Sequence, residues 1–213
     1  MQKKAEEAVE QEINMVDVKK IKDEMLLAAK RAYTRGIQTG NGGNFSARIP
    51  GKDLMLVKSS GGSFIDADHN SLLVTDFDGK LVEGEGKPTR EALLHGFIYK
   101  IAPQVNGIMH CHSPWSIGWA STRKNLENVT HHLKLKFDCP IVTLDINAGV
   151  VPEEEFYKVE EIFKKYPKLP AFLLVDHGVV AVGKDIIDAE HNAELIEESA
   201  QVAFLKALAS SFR

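Results

Sequence analysis

Two histidines one residue apart close an apolar run, Gly107-Ile108-Met109-His110-Cys111-His112, and this segment constrains the fold more than any other. The run reads as a buried strand. Alternate side chains of a strand share a face, so His110 and His112 project together from one side of a sheet, near its end. Two imidazoles at that spacing can grip one divalent metal ion. Cys111 alternates away from them and reads as a small buried hydrophobe.

The remaining elements supply a sheet for this strand to sit in. With 213 residues, no internal repeat and no Pro/Gly/Ser-rich linker, residues 1–213 read as one domain. Asp17 is a good N-cap for a first long helix with the apolar stripe Val18, Ile21, Met25, Ala28, Ala29 and Ala32, and Gly36 can stop it. Residues 1–12 extend that helix or fray. Strands are expected at Phe45–Ile49, Leu54–Lys58, Leu72–Asp76 and Lys80–Glu83, the last two joined by the hairpin signal Asp78-Gly79. A helix opens around Thr89 and turns Leu93, Leu94, Phe97, Ile98 and Ile101 inward. Pro114 begins a short helix carrying Trp115 and Trp119, which read as core or interface. Ile141–Asp145 is a further strand. Pro152 leads into a helix with Glu153, Glu154 and Glu155 in its first turn and Lys164 and Lys165 in its last, an order that suits the helix dipole. Ala171–Val175 and Val179–Val182 are strands flanking Asp176-His177-Gly178, and a final amphipathic helix begins near Asp185. Hairpins dominate the connections, which predicts an α/β fold whose sheet is mostly antiparallel with helices packed on it.

Charge and apolar runs narrow the setting. The net charge of −4 has no block of either sign, so nothing supports nucleic-acid or anionic-membrane binding. No apolar run approaches the ~20 residues of a membrane span. Met1 to Glu12 is charged and lacks the apolar core of a signal peptide. Two cysteines, Cys111 and Cys139, fit a reducing cytosol, so a cytoplasmic location is expected.

Catalytic zinc commonly takes three protein ligands and keeps one position open. His177 is the candidate third, at the end of an apolar strand and before a glycine that lets the backbone turn sharply. Glu91, near a helix start, reads as a first-turn acid, a fourth ligand or a general base. His95, four residues on, reads as structural and within reach of Glu91. Three segments suit an anion: Asn41 to Ser46, Ser59-Ser60-Gly61-Gly62 and Thr89-Arg90, although each also reads as turn or cap chemistry. Neither glycine run matches a Walker loop or a dinucleotide fingerprint. His131-His132 is either a second metal pair or, on the other side, polar loop residues or contacts to another subunit. Adjacent side chains of extended chain diverge, which favours the latter. His69 and His191 carry no signal.

In this order, Gly43-Asn44-Phe45-Ser46, Ser60-Gly61, Lys87-Pro88-Thr89-Arg90-Glu91, His110-Cys111-His112 and Asp176-His177-Gly178 resemble the class II aldolase/adducin family. The resemblance implies a central, mostly antiparallel β-sheet sandwiched between helical layers. It implies a zinc-dependent enzyme, with Mn²⁺ or Co²⁺ as alternatives, assembled as a homotetramer with active sites between subunits. His110, His112 and His177 would bind the metal. Glu91 matches the acid/base glutamate that also touches the metal, and Asn44, Ser60, Gly61 and Thr89 match positions that hold a substrate phosphate. Arg90 replaces the second of two small hydroxyl residues in the family's motif; its guanidinium can bind phosphate or carboxylate, or salt-bridge elsewhere. His132 is the nearest match to a tyrosine that fuculose-phosphate aldolases lend to a neighbouring subunit as proton donor.

The activity so implied is cleavage of a ketose 1-phosphate to dihydroxyacetone phosphate and an aldehyde. It proceeds through a metal-stabilised enediolate, with Glu91 moving the proton. A family epimerase, dehydratase or decarboxylase acting on a related sugar phosphate is the alternative; epimerases tend to carry Asp where Glu91 stands. A non-catalytic adducin-like interaction module is a reading of another class. It is distinguished by the metal set, which such modules can lose and which is intact here.

Overall fold

Short apolar runs broken by tight turns build one sheet of eight strands among the described residues, with helices on both faces. The computed structural model describes residues 2–146 and 148–212. In chain order the elements are α1 (Gln2–Thr34), β1 (Asn44–Arg48), β2 (Leu54–Lys58), β3 (Leu72–Asp76), β4 (Leu81–Glu83) and α2 (Ala92–Ile101). There follow β5 (Gly107–Cys111), α3 (Pro114–Ala120), α4 (His131–Lys136), β6 (Val142–Leu144), α5 (Phe156–Lys165), β7 (Ala171–Leu174), β8 (Gly178–Gly183) and α6 (Ile186–Ser210).

The strand order is β4-β3-β2-β1-β5-β8-β7-β6. Every pairing is antiparallel except β6 with β7. The histidine strand β5 therefore lies in mid-sheet, between β1 and β8, and all five of its residues are buried. Met109 and Cys111 share a core with Phe45, Val179 and Ala181 beneath α1 and α6. Ile108 faces the opposite core with Phe172, Val180 and the apolar sides of α2 and α5. This is the sheet between helical layers that the resemblance implied. A central strand covered on both faces is buried along its length and reads as a mostly apolar run, here with His110 as its polar member.

Several boundaries differ from the sequence reading, each for a physical reason. Asp17 lies inside α1 and caps nothing, because the helix runs on toward Gln2, the extension that residues 1–12 left open; Met1 lies outside the described residues. Helix α2 starts at Ala92 rather than Thr89. The preceding residues are taken up in pairing, with Ser60 N donating to Lys87 O (2.8 Å) and Thr89 N to Lys58 O (3.1 Å), so they are unavailable for helical turns. His131 and His132 stand on α4, not on a loop, because Thr130 caps that short helix by accepting from Leu133 N at 3.1 Å. Glu153–Glu155 form a turn of 3₁₀ helix ahead of α5. Asp185 does cap α6, accepting from Asp188 N at 2.7 Å. Among the described residues no helix is long and apolar enough to cross a membrane.

Candidate metal centre and anion pocket

Antiparallel register brings the first parts of the site together. Asn44 opens β1 directly opposite His110, and His110 in turn lies opposite Val180 of β8. His110 is fully buried, and its Nδ1 donates to Val179 O at 3.0 Å. Since a carbonyl only accepts, the proton of the neutral ring sits on Nδ1 and the Nε2 lone pair is left free. Just past the strand, His112 N donates to Gln38 Oε1 at 2.8 Å, while Gln38 Nε2 donates to Thr39 O at 2.6 Å. Gln38 thereby ties the glycine-rich turn after α1 to the histidine strand.

His177 reaches the pair through a strained turn between β7 and β8. Asp176 has φ +54 and Gly178 has φ +151. A Cβ at Gly178 would overlap the Cys111 carbonyl oxygen, so only glycine lets this turn lie against the end of β5. The result is His177 Nε2 at 3.3 Å from His110 Nε2. One nitrogen from each of His110, His112 and His177 lies within 4.8 Å of the others.

Glu91 occupies the N-cap position of α2 and is almost completely buried. Its Oε2 accepts from Asn44 Nδ2 at 2.8 Å and lies 3.4 Å from His110 Nε2. Burial pushes its pKa up, but His110, the Asn44 hydrogen bond and His177 outweigh this and hold the carboxyl below its ordinary value. Burial is the leading cause that lowers all three histidines, with His177 pushed down to about 4 by burial and then by its neighbour His110. At neutral pH the cluster is three neutral imidazoles and one carboxylate, the protonation state that bonds a divalent ion.

The arrangement fits a metal on its own terms. The His110 Nε2 lone pair faces His177 Nε2 across 3.3 Å and a buried anionic oxygen of Glu91 across 3.4 Å, a cluster of acceptor atoms that suits a cation. Glu91 Oε1 and His177 Nδ1 are also buried without a hydrogen-bond partner. Three imidazole nitrogens with a nearby carboxylate suit zinc and similar divalent ions.

The anion side is assembled by the isolated bridge between Ser59 and Pro88, which joins the turn after β2 to the segment before α2. Asn44, Ser60, Gly61, Thr89, Arg90, Glu91, His112 and His177, all flagged in the sequence, line one pocket of about 550 Å³. His110 is fully buried and meets the lining residues Glu91 and His177 at 3.4 and 3.3 Å. His132, on exposed α4, is not among the lining residues. Arg90 is exposed at the pocket and makes no ion pair with the described residues.

Sequence reading missed Lys58, Gln38 and the Gly149-Val150 edge. Lys58 is 2% exposed, its Nζ donates to Ser59 O at 3.0 Å, and burial lowers its pKa. The available signal was a lysine closing the apolar strand Leu54-Met55-Leu56-Val57 just before a Ser-Ser-Gly-Gly turn. Among the described residues Lys58 has no carboxylate partner, which leaves its amine available to an anion in the pocket.

The glycine turn offers a stability test. Gly43 has φ +64, and a Cβ there would overlap Gln38 Oε1 and lie 2.7 Å from the His110 carbonyl oxygen. Gly40 has φ +61 with nothing within 4 Å. Gly40→Ala is expected to cost about 1 kcal/mol, the left-handed strain alone. Gly43→Ala should cost about 2–4 kcal/mol and weaken zinc binding as well. Denaturant melts and zinc titrations check both; equal losses at the two positions would remove the steric argument.

A model of the class II aldolase and adducin N-terminal domain matches residues 23–204. The chain belongs to the class II aldolase and adducin family. L-ribulose-5-phosphate 4-epimerase UlaF of Salmonella typhi is 29% identical over 200 residues, covering 88% of this chain and 86% of that protein. The 3-oxo-tetronate 4-phosphate decarboxylase of Haemophilus influenzae is 30% identical over 190 residues, covering 86% of each. Among solved structures, an L-fuculose 1-phosphate aldolase superposes with a TM-score of 0.78 at 24% identity, over 91% of this chain and 87% of that one. At this identity it establishes the fold.

Proposed function

We propose that this chain is a metal-dependent carbon–carbon lyase that cleaves a ketose 1-phosphate to dihydroxyacetone phosphate and an aldehyde. The observation that carries this reading is an ionised, buried Glu91 held 3.4 Å from His110 Nε2, in a pocket whose other wall carries Lys58, Ser60, Gly61 and Thr89. The phosphate is received by the Lys58 ammonium, the Ser60 and Thr89 hydroxyls and the glycine-rich backbone, which leaves the carbonyl end against the histidines. Bound by His110, His112 and His177, a divalent ion (zinc first, manganese or cobalt as alternatives) would supply a Lewis acid for charge developing on the substrate oxygens. When the carbon–carbon bond breaks, its electron pair passes into the enediolate of the departing ketone fragment. The hydroxyl that becomes the aldehyde loses its proton in the same step. Glu91, a carboxylate at rest, takes up a proton and delivers one to the enediolate carbon, so none is gained or lost overall, and Asn44 Nδ2 holds the carboxylate in line.

The wider setting follows the same reading. Residues 1–213 form one domain, and the active protein is a homotetramer with its sites between subunits. Leu135, on α4 beside His132, and Leu205 and Leu208, on α6, are exposed and support a partner copy there. His132 would act across that contact on the hydroxyl that becomes the aldehyde, taking its proton in cleavage and donating it in the reverse direction. Cys111 and Cys139, buried and unpaired, support a reducing, cytoplasmic setting.

A second reading, decarboxylation of a phosphorylated 3-oxo acid, is favoured by Arg90. Its unpaired guanidinium is a second cation on the pocket besides Lys58, which suits a substrate with a carboxylate as well as a phosphate. The relative named as a decarboxylase supports it. Both reactions break a carbon–carbon bond and leave the same kind of charge. Zinc-loaded protein should be assayed with fuculose, rhamnulose and ribulose 1-phosphates for triose phosphate release, and with a phosphorylated 3-oxo acid for carbon dioxide release. Triose phosphate release upholds the aldolase. Carbon dioxide alone transfers the assignment to the second reading, and epimerisation of ribulose 5-phosphate alone overturns both. Under the second reading Arg90→Ala should raise KM for the oxo acid by about tenfold or more.

A further inference from the structure

Of the three candidate metal ligands, His112 is one that no strand pairing holds. The pairing of β5 with β1 ends where His110 lies opposite Asn44, and its pairing with β8 ends where Cys111 lies opposite Val179. His112 stands beyond both ladders and directly before Ser113, the N-cap of α3. Its backbone N–H donates instead to the Gln38 side chain, at 2.8 Å to Oε1.

Gln38 is well placed to fix it. The residue is 1% exposed, and its backbone is anchored at the end of α1, where Ile37 N and Gln38 N both donate to Ala32 O at 3.1 and 3.3 Å. The other end of its amide, Nε2, donates to Thr39 O at 2.6 Å. A backbone N–H only donates and a carbonyl only accepts, so the amide has one orientation and both of its ends are engaged. The glycine-rich turn packs closely on this arrangement. A Cβ on Gly43 would overlap Gln38 Oε1, and a Cβ on Gly42 would lie 2.6 Å from His112 Nδ1 and 3.4 Å from Gln38 Nε2.

The same turn forms part of the anion side of the pocket. Residues 39–43 line it, and the backbone N–H groups of Thr39, Gly40 and Asn41 donate to no acceptor among the described residues. Free amides in a tight turn suit an anion. Gln38 is not itself a lining residue, so it acts only through His112 and the turn, which are.

We infer that Gln38 is a positioning residue for both halves of the pocket: one buried amide holds His112 toward the metal and residues 39–43 toward the anion. The inference rests on the proposed function, in which this pocket receives a divalent ion and a phosphate. An amide bonded at both ends sets the two sites in fixed relation, which preorganises them for a substrate that engages both.

Zinc alone and inorganic phosphate alone are the probes, on the full chain. Zinc affinity is read by calorimetry, phosphate affinity by calorimetry on metal-free protein, and ligand geometry by the visible spectrum of cobalt-loaded protein. Gln38→Met keeps the side-chain length but bonds neither His112 N nor Thr39 O. It is expected to weaken zinc by about tenfold or more and to alter the cobalt spectrum. It should weaken phosphate by about threefold or more. Gln38→Glu retains an acceptor for His112 N and should restore the zinc affinity and the wild-type cobalt spectrum. A lowered melting temperature with both affinities and the spectrum intact would make Gln38 structural only and overturn the inference. Loss of one affinity without the other in Gln38→Met, or equal zinc loss in Gln38→Met and Gln38→Glu, also overturns it. If Gln38→Met does not fold, Gln38→Asn withdraws the amide by one carbon and should weaken both probes, and normal binding of either overturns the role. Wild-type protein that fails to bind zinc or phosphate removes the proposed function together with this role, whereas normal wild-type binding with unchanged variants removes the role alone.

Discussion

Glu91→Gln is expected to keep its metal and lose turnover by about a thousandfold, within the range that general acid–base catalysis contributes. The amide matches the carboxylate in size, and its oxygen can still accept from Asn44 Nδ2, which now bonds Glu91 Oε2 at 2.8 Å. What it lacks is a pKa that lets it take up and return a proton. Zinc affinity by calorimetry, set beside turnover on whichever sugar phosphate proves active, separates the two functions. Turnover within tenfold of wild type would remove Glu91 as the proton carrier. Loss of zinc in parallel with turnover would make it chiefly a ligand.

Replacing His177 with alanine should have an effect of similar size on a different quantity. Two imidazoles and a buried acid remain, and a zinc site deprived of one of its ligands is expected to lose about a hundredfold in affinity. That is a share of the roughly 10–16 kcal/mol that well-formed multi-ligand sites attain. Saturating zinc should raise the melting temperature of wild-type protein, since a ligand at about 100 times its Kd stabilises by about 2.7 kcal/mol. His177→Ala should lose most of that rise. His69→Ala is the control, because His69 pairs with Asp23 on the surface at 2.7 Å and lies outside the pocket. A wild-type chain without divalent metal and without a zinc-dependent melting shift would favour the interaction-module reading.

The parts of this molecule that were legible in the sequence are those set by short-range periodicity. Strands β2 and β3 fall on Leu54–Lys58 and Leu72–Asp76 as expected, because a strand covered on both faces leaves a short continuous apolar run between turns. His110, His112, His177 and Glu91 were found because their residue types are chemically specific and stand at strand or helix ends. Lys58 and Gln38 escaped for the converse reason. A lysine and a glutamine are ordinary surface residues unless the chain folds over them, and their burial depends on contacts with segments far away in sequence. Helix α4 escaped because six residues carry too little periodicity to be read, and its Thr130 cap is informative only once the helix exists.

Residue order alone thus singles out the candidate side chains and the strand faces they occupy, because alternation along a strand is a local property of the backbone. Convergence is another matter. Asn44 meets His110 only through the register of β1 on β5. Ser60 meets Thr89 only through the bridge between Ser59 and Pro88. His177 meets His110 only because Gly178 lets its turn lie on the Cys111 carbonyl. Each of these is a pairing between segments separated along the chain, fixed by hydrogen-bond register and close packing rather than by any neighbouring residue. That long-range pairing is what brings the histidine strand together with Glu91, Lys58, Ser60 and Thr89 around one pocket.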